Sequence, residues 1–217
     1  MAEVKFLNVG LPKKTPYGDS KSMYSGILKS SVPGPIYLGK LGFKKDGSAD
    51  KRFHGGEDKA VCVYSYNHYP FWNNEFSREI LPGAFGENLT LSGLDETQVC
   101  LGDIYSLGET QVQVSLPREP CHKLNKIFDR KDMACRVQKM GYSGFYVRVL
   151  KTGMVEAGNA FTLIEKGLEE ISIAEANDLM FRKEKRDYDR IEAALNLGFL
   201  SEDWKRGYRR RLAKRKS

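Results

Sequence analysis

Long apolar runs are missing from this chain of 217 residues, and its N-terminus lacks a basic start followed by an apolar segment. A membrane-spanning helix needs about 20 mostly apolar residues, and a secretory signal needs both of those parts. The sequence therefore predicts no membrane contact and a cytoplasmic location. Contents of 41% hydrophobic and 29% charged residues are typical of a soluble globular protein.

Cysteine is scarce, and the four cysteines, at positions 62, 100, 121 and 135, include no C-x-x-C pair. This spacing favours free thiols in a reducing compartment over a disulfide framework or a zinc knuckle. Two nucleotide motifs are missing as well. Without the Walker spacing an ordinary P-loop is excluded, and without G-x-G-x-x-G after a strand nothing indicates a flavin or nicotinamide site.

Acidic residues are missing from 204–217, which contains eight Lys or Arg, whereas the remaining chain has 27 basic and 28 acidic residues. The net charge of +7 therefore belongs to the tail alone. Such a tail either contacts phosphate or acidic surfaces or is the solvated end of a helix, whose negative pole favours cations. We favour the helix end.

Short runs of β-branched and aromatic residues, separated by Gly, Pro, Asp and Asn, dominate the chain up to residue 166. Regular spacing of so many strands favours a closed or nearly closed barrel. Two helical insertions are predicted, at 66–76 and after Cys121 through 137. The predicted strands are 4–9, 36–41, 60–66, 87–91, 98–107, 110–116, 145–150 and 160–164.

After Gly167 the pattern becomes helical. Ser172 and Glu175 predict a capping box, Asp189 the start of a second helix, and Ser201 the cap of a third. The sequence therefore predicts a mainly β (α+β) protein. Its expected domains are a barrel over 1–166 and a three-helix appendage over 167–217.

Cys121 follows the predicted strand 110–116, in the segment LPREPCHKL. Proline donates no backbone hydrogen bond, so the strand is expected to leave its ladder here and present the thiol on a stiff corner. Arg118 and Lys123 favour the thiolate, which can attack or bind a metal. The alternative is a small buried hydrophobe. His122 is expected to point away, because adjacent residues on an extended chain do so.

A charged diglycine segment, 50–61, is the second candidate. Glycines let backbone N–H groups approach a ligand closely, and four side chains suit phosphate oxygens. The alternative is a charged surface turn. The four side chains are those of Lys51, Arg52, His54 and Lys59.

Two further segments are weaker candidates. Residues 82–90 are expected to present Glu87 and Asn88 at a strand entrance, and an amide suits a heterocycle. Ser25 and Lys29 in 23–29 are candidates for an anion site, although a plain loop is the favoured interpretation. His68 and Cys62 are expected to be structural.

In this order, the segments resemble the MOSC family, named from the C-terminal part of molybdenum cofactor sulfurase, and especially its hydroxylaminopurine-resistance branch. The helical end from Ile171 resembles the three-helix appendage of that branch, so the resemblance covers nearly the whole chain. The matching segments are 54–61 (HGGEDKAV), 82–90 (PGAFGENLT), 117–124 (PREPCHKL) and 142–150 (YSGFYVRVL) followed by Gly153.

The resemblance implies a MOSC-type β-barrel that binds a molybdenum-pterin cofactor, with Cys121 as the metal ligand. A thiolate is a suitable soft ligand for such a centre. It also implies an external flavoprotein as electron donor. The implied catalytic residues are Cys121, Asp58 and His54, and the implied cofactor-binding residues are Lys51, Arg52, His54, Lys59, Glu87, Asn88, Arg118 and Ser25.

The leading expectation is a molybdenum-dependent reductase that detoxifies N-hydroxylated bases or nucleosides such as 6-N-hydroxylaminopurine. A second is a carrier of cofactor or sulfur without its own turnover. A third is a nucleic-acid binding protein that uses the basic end after Trp204. The third is disfavoured, because aromatic residues that stack on bases are not interleaved with that charge.

Overall fold

A computed structural model describes residues 1–17 and 21–215, and the side chains of Lys51 and Phe53 lie outside that description. Side chains alternate between buried and more exposed over 104–107 and 110–114, whereas those of 61–65 are all buried. The strands are β1 Glu3–Val9, β2 Lys13–Tyr17, β3 Lys21–Ser25, β4 Ser30–Ser31, β5 Ile36–Gly39, β6 Gly42–Phe43, β7 Val61–Ser65, β8 Leu89–Ser92, β9 Ile104–Leu107, β10 Thr110–Pro117, β11 Phe145–Lys151, β12 Gly153–Val155 and β13 Phe161–Glu165.

The helices lie between β6 and β8, between β10 and β11, and after β13. Short 3-10 turns at Glu57–Lys59, Tyr66–His68 and Lys183–Lys185 accompany them. Within the described residues no helix is both long and apolar enough to cross a membrane. The α-helices are α1 Lys51–His54, α2 Tyr69–Phe76, α3 Lys123–Ile127, α4 Met133–Met140, α5 Ile173–Phe181, α6 Tyr188–Asn196 and α7 Glu202–Ala213.

An eight-stranded sheet, in the order β13-β9-β10-β11-β7-β8-β1-β4, forms the body of the protein. Its pairs are antiparallel except the parallel pair of β7 with β8. The sheet curls until β1 meets the start of β13 through a bridge between Glu3 and Ala160. Val4 N–H also donates to the Asn159 carbonyl at 2.9 Å. The predicted barrel is therefore confirmed, with closure at one corner.

Two apolar clusters hold these elements. The larger fills the barrel and continues into the appendage, where it includes Ile173, Leu179 and Trp204. The smaller lies under the inserted helices, where Tyr64 and Phe85 stack with ring centroids 4.5 Å apart. Burial of these aromatic rings fixes the loop that carries Phe85, and this loop forms one wall of the site.

Segment 98–107 is not one strand, contrary to the prediction. Only Ile104–Leu107 is a strand, because Gly102 takes a positive φ of 88° and Asp103 Oδ2 accepts the Cys100 N–H at 2.9 Å. Leu101 N–H donates to the Ile171 carbonyl and Ile173 N–H to the Val99 carbonyl. The backbone before the turn thus joins the barrel to the appendage.

The predicted helix after Cys121 is also interrupted. It ends at Ile127 and restarts at Met133, because Asp129 adopts a left-handed conformation with a φ of 47°. The hairpin β2–β3 was not predicted, and Ser25 ends β3 rather than lying in a plain loop. The predicted helix at 66–76 is confirmed as a 3-10 turn that leads into α2.

Three helices form the appendage as predicted, with differences at their caps. Ser172 Oγ accepts the Glu175 N–H at 3.0 Å, but the Glu175 carboxylate pairs with Arg190 instead of returning to the cap. Asp187, not Asp189, caps α6, since its carboxylate accepts the Asp189 N–H.

Ser201 precedes α7, but its side chain makes no cap hydrogen bond, and its buried Oγ has no partner within the described residues. The proposed domain boundary between 166 and 167 stays a prediction. The barrel and the appendage share one continuous apolar core, which does not mark a boundary between two domains.

Candidate functional site

A cavity of about 470 Å³ opens between the barrel and the loops that follow β3 and β5. We call it the inner cavity. Its lining combines buried polar and buried apolar side chains, and it includes Tyr37 and Leu41, both exposed. The residues that define it are Ser25, Asp46, Cys62, Asn88, Arg118 and Cys121.

Cys121 lies at the edge of the inner cavity, half-buried. Strand β10 pairs with β11 as far as Pro117, and the chain then turns away, as the prolines predicted. Leu124 N–H donates to the Cys121 carbonyl at 2.9 Å, which starts α3. The Cys121 Sγ lies 3.8 Å from His122 Nδ1. The expectation that His122 points away is therefore wrong, because the chain coils here instead of remaining extended.

Arg118 is buried and reaches into the same cavity. Its guanidinium donates to the carbonyls of Phe85 and Ser143, the latter at 3.4 Å. Among the described residues no carboxylate forms an ion pair with it. Burial by itself lowers its pKa, but Cys62 and Tyr146 oppose this effect and the net pKa is raised. A charged buried group without a counterion favours the binding of an anion here.

A hydrogen-bonded network behind Arg118 fixes its position. Arg118 N–H donates to the Gly144 carbonyl at 3.1 Å, and Gly144 N–H donates to Glu96 Oε1 at 2.6 Å. Glu96 Oε2 lies 2.6 Å from His68 Nε2, so His68 has the structural role that we predicted. From the appendage, Asn177 donates to Ser143 Oγ at 2.8 Å. The site is thus supported from both parts of the chain.

The diglycine segment delivers two of its predicted residues to the site. His54 and Lys59 both line the inner cavity, with Gly55 and Gly56 between them. Gly56 has a φ of 95° and open space where a Cβ would stand, so the turn requires glycine and leaves its backbone accessible. Burial, followed by the charges of Lys123, Lys59 and Arg118, lowers the pKa of His54 despite Asp50. His54 is therefore neutral at pH 7.

Asp58, the third predicted catalytic residue, does not line the inner cavity. Its carboxylate pairs with Arg148 at 2.7 Å, and Arg148 also donates to the Phe199 carbonyl at 2.6 Å. The Asp58 carbonyl accepts the Ser115 hydroxyl at 2.6 Å. These contacts tie the diglycine segment to β10, β11 and the appendage. The structure thus places Asp58 among the residues that support the site, outside the inner cavity.

Arg52 also lies away from the inner cavity. Its side chain is 84% exposed and pairs with Asp50 at 3.3 Å. The hydrogen bond from Arg52 is the main cause of a lowered Asp50 pKa. Lys51 begins α1, and its side chain lies outside the described part of the chain.

Asn88 and Ser25 line the inner cavity as predicted, but their side chains already form hydrogen bonds within the protein. Asn88 Nδ2 donates to Asp46 Oδ2 at 2.8 Å, and its Oδ1 accepts the Cys62 N–H at 3.1 Å. Ser25 Oγ accepts the Ile27 N–H at 3.2 Å. Asp46 also forms a buried ion pair with Lys29. This end of the cavity is therefore a preorganised polar floor.

Glu87 is buried behind the wall instead of lining the cavity. Its Oε1 accepts the Gly83 N–H at 2.8 Å, the Thr90 hydroxyl at 3.0 Å and the Tyr69 hydroxyl. Its Oε2 has no partner within the described residues. These bonds fix the turn around Phe85, whose carbonyl accepts Arg118. The structure therefore places Glu87 as a support of Arg118.

Tyr146 and Asp46 are site residues that sequence reasoning missed. Tyr146 faces Cys62 across β7 and β11 and lines the inner cavity together with Arg118. The available signal was the alternation in 145–151, since Phe145 and Tyr146 cannot point to the same face. Asp46 lies in a loop without any periodic pattern, so no sequence signal identified it.

A second cavity, of about 680 Å³, adjoins the inner cavity at Cys121, and we call it the outer cavity. Helix α7 contributes one wall with Asp203, Trp204, Arg206 and Arg210. The inner and outer cavities therefore meet at the Cys121 corner. The residues that both cavities share are His54, Lys59, Glu119, Cys121, Lys123 and Tyr146.

No group of three or more His, Cys, Asp or Glu side chains suited to a metal ion occurs within the described ranges. The buried Arg118, the glycine turn and the preorganised floor fit a large anionic group. Cys121 offers that group one soft ligand. These donors match a metal that arrives within an organic cofactor.

Two family models match the chain. The MOSC domain model matches residues 50–162, and the model described as the YiiM-like, 3-alpha helix domain matches residues 171–215. The first match contains Cys121 and Arg118, and the second contains α5, α6 and α7.

Several known proteins are similar over most of the chain. YflK of Bacillus subtilis is 45% identical over 93% of this chain and 90% of its own length. YiiM of Escherichia coli is 37% identical over 86% of this chain and 84% of its own length. A protein named Reductase from Gibberella moniliformis is 38% identical over 65% of this chain, which corresponds to 26% of that longer protein.

Solved structures agree with these relatives. YiiM from Geobacillus stearothermophilus has a TM-score of 0.82 and 36% identity, covering 98% of this chain and 100% of its own. YiiM from Escherichia coli has a TM-score of 0.78 and 31% identity, covering 99% and 94%. This chain belongs to the MOSC domain family, and its C-terminal helices match the three-helix domain of YiiM-like proteins.

Proposed function

We propose that the protein is a molybdenum-dependent reductase of N-hydroxylated bases and nucleosides. The observation that carries the proposal is the half-buried thiol of Cys121 at the edge of a cavity whose buried Arg118 has no carboxylate counterion within the described residues. MOSC domains are associated with the molybdenum cofactor. The name Reductase of one relative agrees with an oxidoreductase.

In this proposal the inner cavity holds the pterin part of the cofactor and Cys121 ligates the metal. Arg118 and Lys59 bind its anionic groups, and the accessible backbone at Gly56 lies beside them. The bound cofactor supplies a centre that cycles by two electrons. Asn88 and the pair of Lys29 with Asp46 line the same cavity and form its polar floor.

The proposed reaction needs two electrons and two protons: R–NH–OH + 2 e⁻ + 2 H⁺ gives R–NH₂ + H₂O. The N–O bond breaks and its oxygen leaves as water. We propose an external flavoprotein as the electron source. His54 is neutral at pH 7 because of its lowered pKa, so it accepts a hydrogen bond from the substrate hydroxyl and relays protons from solvent. The Tyr146 hydroxyl, with its pKa raised by burial, remains a hydrogen-bond donor.

Elemental analysis and a reductase assay test this proposal together. The protein is produced in a host that makes the molybdenum cofactor, and 6-N-hydroxylaminopurine is reduced with an artificial electron donor. We expect near-stoichiometric molybdenum and reduction, with both lost in Cys121→Ala. Undiminished reduction by protein without molybdenum would sink the proposal.

The same experiment separates the carrier alternative. A carrier of cofactor or sulfur binds molybdenum or forms a persulfide at Cys121, but it reduces no hydroxylamine with the artificial donor. Transfer of cofactor or sulfur to an acceptor, without turnover, would therefore replace the reductase proposal with the carrier.

A further inference from the structure

The outer cavity adjoins the inner cavity at Cys121 and extends from there to helix α7, which the inner cavity does not reach. A molecule in it would therefore lie beside the same thiol. Its volume of about 680 Å³ is within the range of ligand pockets, roughly 300–1,000 Å³. If the inner cavity holds the cofactor, the outer cavity remains for the substrate.

The outer cavity combines apolar surface with cations. Pro120 provides partly exposed apolar surface beside Cys121, whereas the side chains of Leu116 and Trp204, also in the lining, are almost fully buried. Lys123 lies near Cys121, while Arg206 and Arg210 project from α7. The part next to Cys121 and Pro120 therefore offers room for a base, while the exposed cations of α7 suit a negative charge.

Arg210 is the cation best placed to bind an added anion. Three carboxylates also line the cavity, but Arg52 neutralises Asp50 and Arg206 neutralises Asp203, while Glu119 is exposed. Within the described part of the chain neither Arg210 nor Lys123 forms an ion pair with a carboxylate. Burial is the first cause of the lowered pKa of Arg211, followed by the charges of Arg186 and Arg210, while Glu119 opposes the shift.

We infer that the outer cavity binds purine nucleotides, with the 5′-phosphate at Arg210 on α7 and the base toward Cys121. This inference rests on the proposed function, in which the base carries the N-hydroxyl group. It makes N-hydroxylated nucleoside monophosphates better substrates than the free bases. It also gives the helical appendage a direct role in recognising the phosphate.

Adenosine 5′-monophosphate is the probe for a binding test on the full-length protein. Titration calorimetry is carried out on the unaltered protein, on Arg210→Gln, on Arg210→Glu, and on Arg209→Gln as control. Arg209 lies beside Arg210 on α7, pairs with Glu202 and does not line the cavity. Arg209→Gln thus removes the same charge without touching the site.

We expect Arg210→Gln to raise the Kd for the nucleotide roughly tenfold, Arg210→Glu to raise it further, and Arg209→Gln to change it less than about twofold. Adenosine without phosphate should bind all four proteins alike. Equal effects of Arg209→Gln and Arg210→Gln, or equal affinity for nucleotide and nucleoside, would overturn the inference.

A kinetic comparison separates this inference from the proposed function. We expect Arg210→Gln to lower kcat/KM for the N-hydroxylated nucleotide roughly tenfold and to leave the free base unchanged. Reduction of both substrates with no effect of Arg210→Gln keeps the reductase and contradicts the nucleotide site. Nucleotide binding that depends on Arg210, without reduction of either substrate, keeps the site and contradicts the reductase.

Discussion

The inner and outer cavities share one corner but are built in different ways. Buried groups that hydrogen-bond to one another, such as Asn88 with Asp46, line the inner cavity. Exposed side chains on a surface helix, such as Arg210, line one wall of the outer cavity. A rigid polar wall suits one invariant ligand, whereas exposed charges can adapt to several. The contrast therefore favours a fixed cofactor inside and an exchangeable substrate outside.

The largest effect is expected from the substitution Cys121→Ser, because Cys121 lies where the inner and outer cavities meet. Because a hydroxyl is a poor substitute for a soft thiolate ligand, we expect N-reduction to fall at least about 100-fold, beyond the 10–100-fold loss typical of residues behind a ligand. Cys135→Ser is the control, since Cys135 is exposed and lines neither cavity. Similar rates for both variants would remove the special role of Cys121.

Arg118→Gln tests whether the inner cavity is built for an anion. We expect cofactor retention to fall about tenfold and the free energy of unfolding by about 1–3 kcal/mol, because the carbonyls of Phe85 and Ser143 lose a charged donor. Molybdenum content and urea denaturation measure the two effects. Arg118→Lys keeps the charge without the planar fork, so it should retain more cofactor than Arg118→Gln. Full molybdenum content in Arg118→Gln would contradict the account.

Asp58→Asn removes a charge that lies outside the inner and outer cavities, so its effect can be compared with substitutions inside them. The Asp58 side chain is 38% exposed and its partner Arg148 is 17% exposed. We therefore expect a loss of about 0.5–1 kcal/mol in unfolding free energy and an unchanged pH profile of kcat. If kcat falls and the acidic side of its pH profile shifts, Asp58 acts instead as a proton source.

The smallest effect is expected at His54, in the pH dependence of the free energy of unfolding. Its folded-state pKa lies below the ordinary 6.5, so the unfolded state takes up a proton first as the pH falls. The contribution of His54 to the free energy of unfolding is therefore fully present above pH 6.5. It is lost as the pH falls from 6.5 through the folded-state pKa. Denaturation at about pH 7.5 and about pH 5.5 should show a smaller difference in His54→Gln. NMR titration should place the His54 pKa below 6.5.

Much of the fold follows from local patterns in the chain. Strands β7, β10 and β11 alternate or are buried on both faces, and proline ended β10 where the chain leaves its ladder. The errors arose where a single residue overrides the pattern. Gly102 and Asp129 turn the backbone, and nothing in the surrounding periodicity reveals such turns.

The candidate site was predicted in part, because clusters along the chain revealed only its local pieces. His54, Lys59, Arg118 and Cys121 come together as expected. The pairing of Asp58 with Arg148 joins residues far apart in sequence, so it was invisible to local reasoning. The outer cavity was invisible for the same reason, since it exists only once α7 packs against the barrel.

X-ray absorption at the molybdenum edge tests the central claim most directly, by comparing the sulfur ligands in the native protein and in Cys121→Ser reloaded with cofactor. We expect one fewer sulfur ligand in the variant, with Cys135→Ser identical to the native protein. The same sulfur coordination in Cys121→Ser and in the native protein would contradict the assignment of Cys121 as the metal ligand.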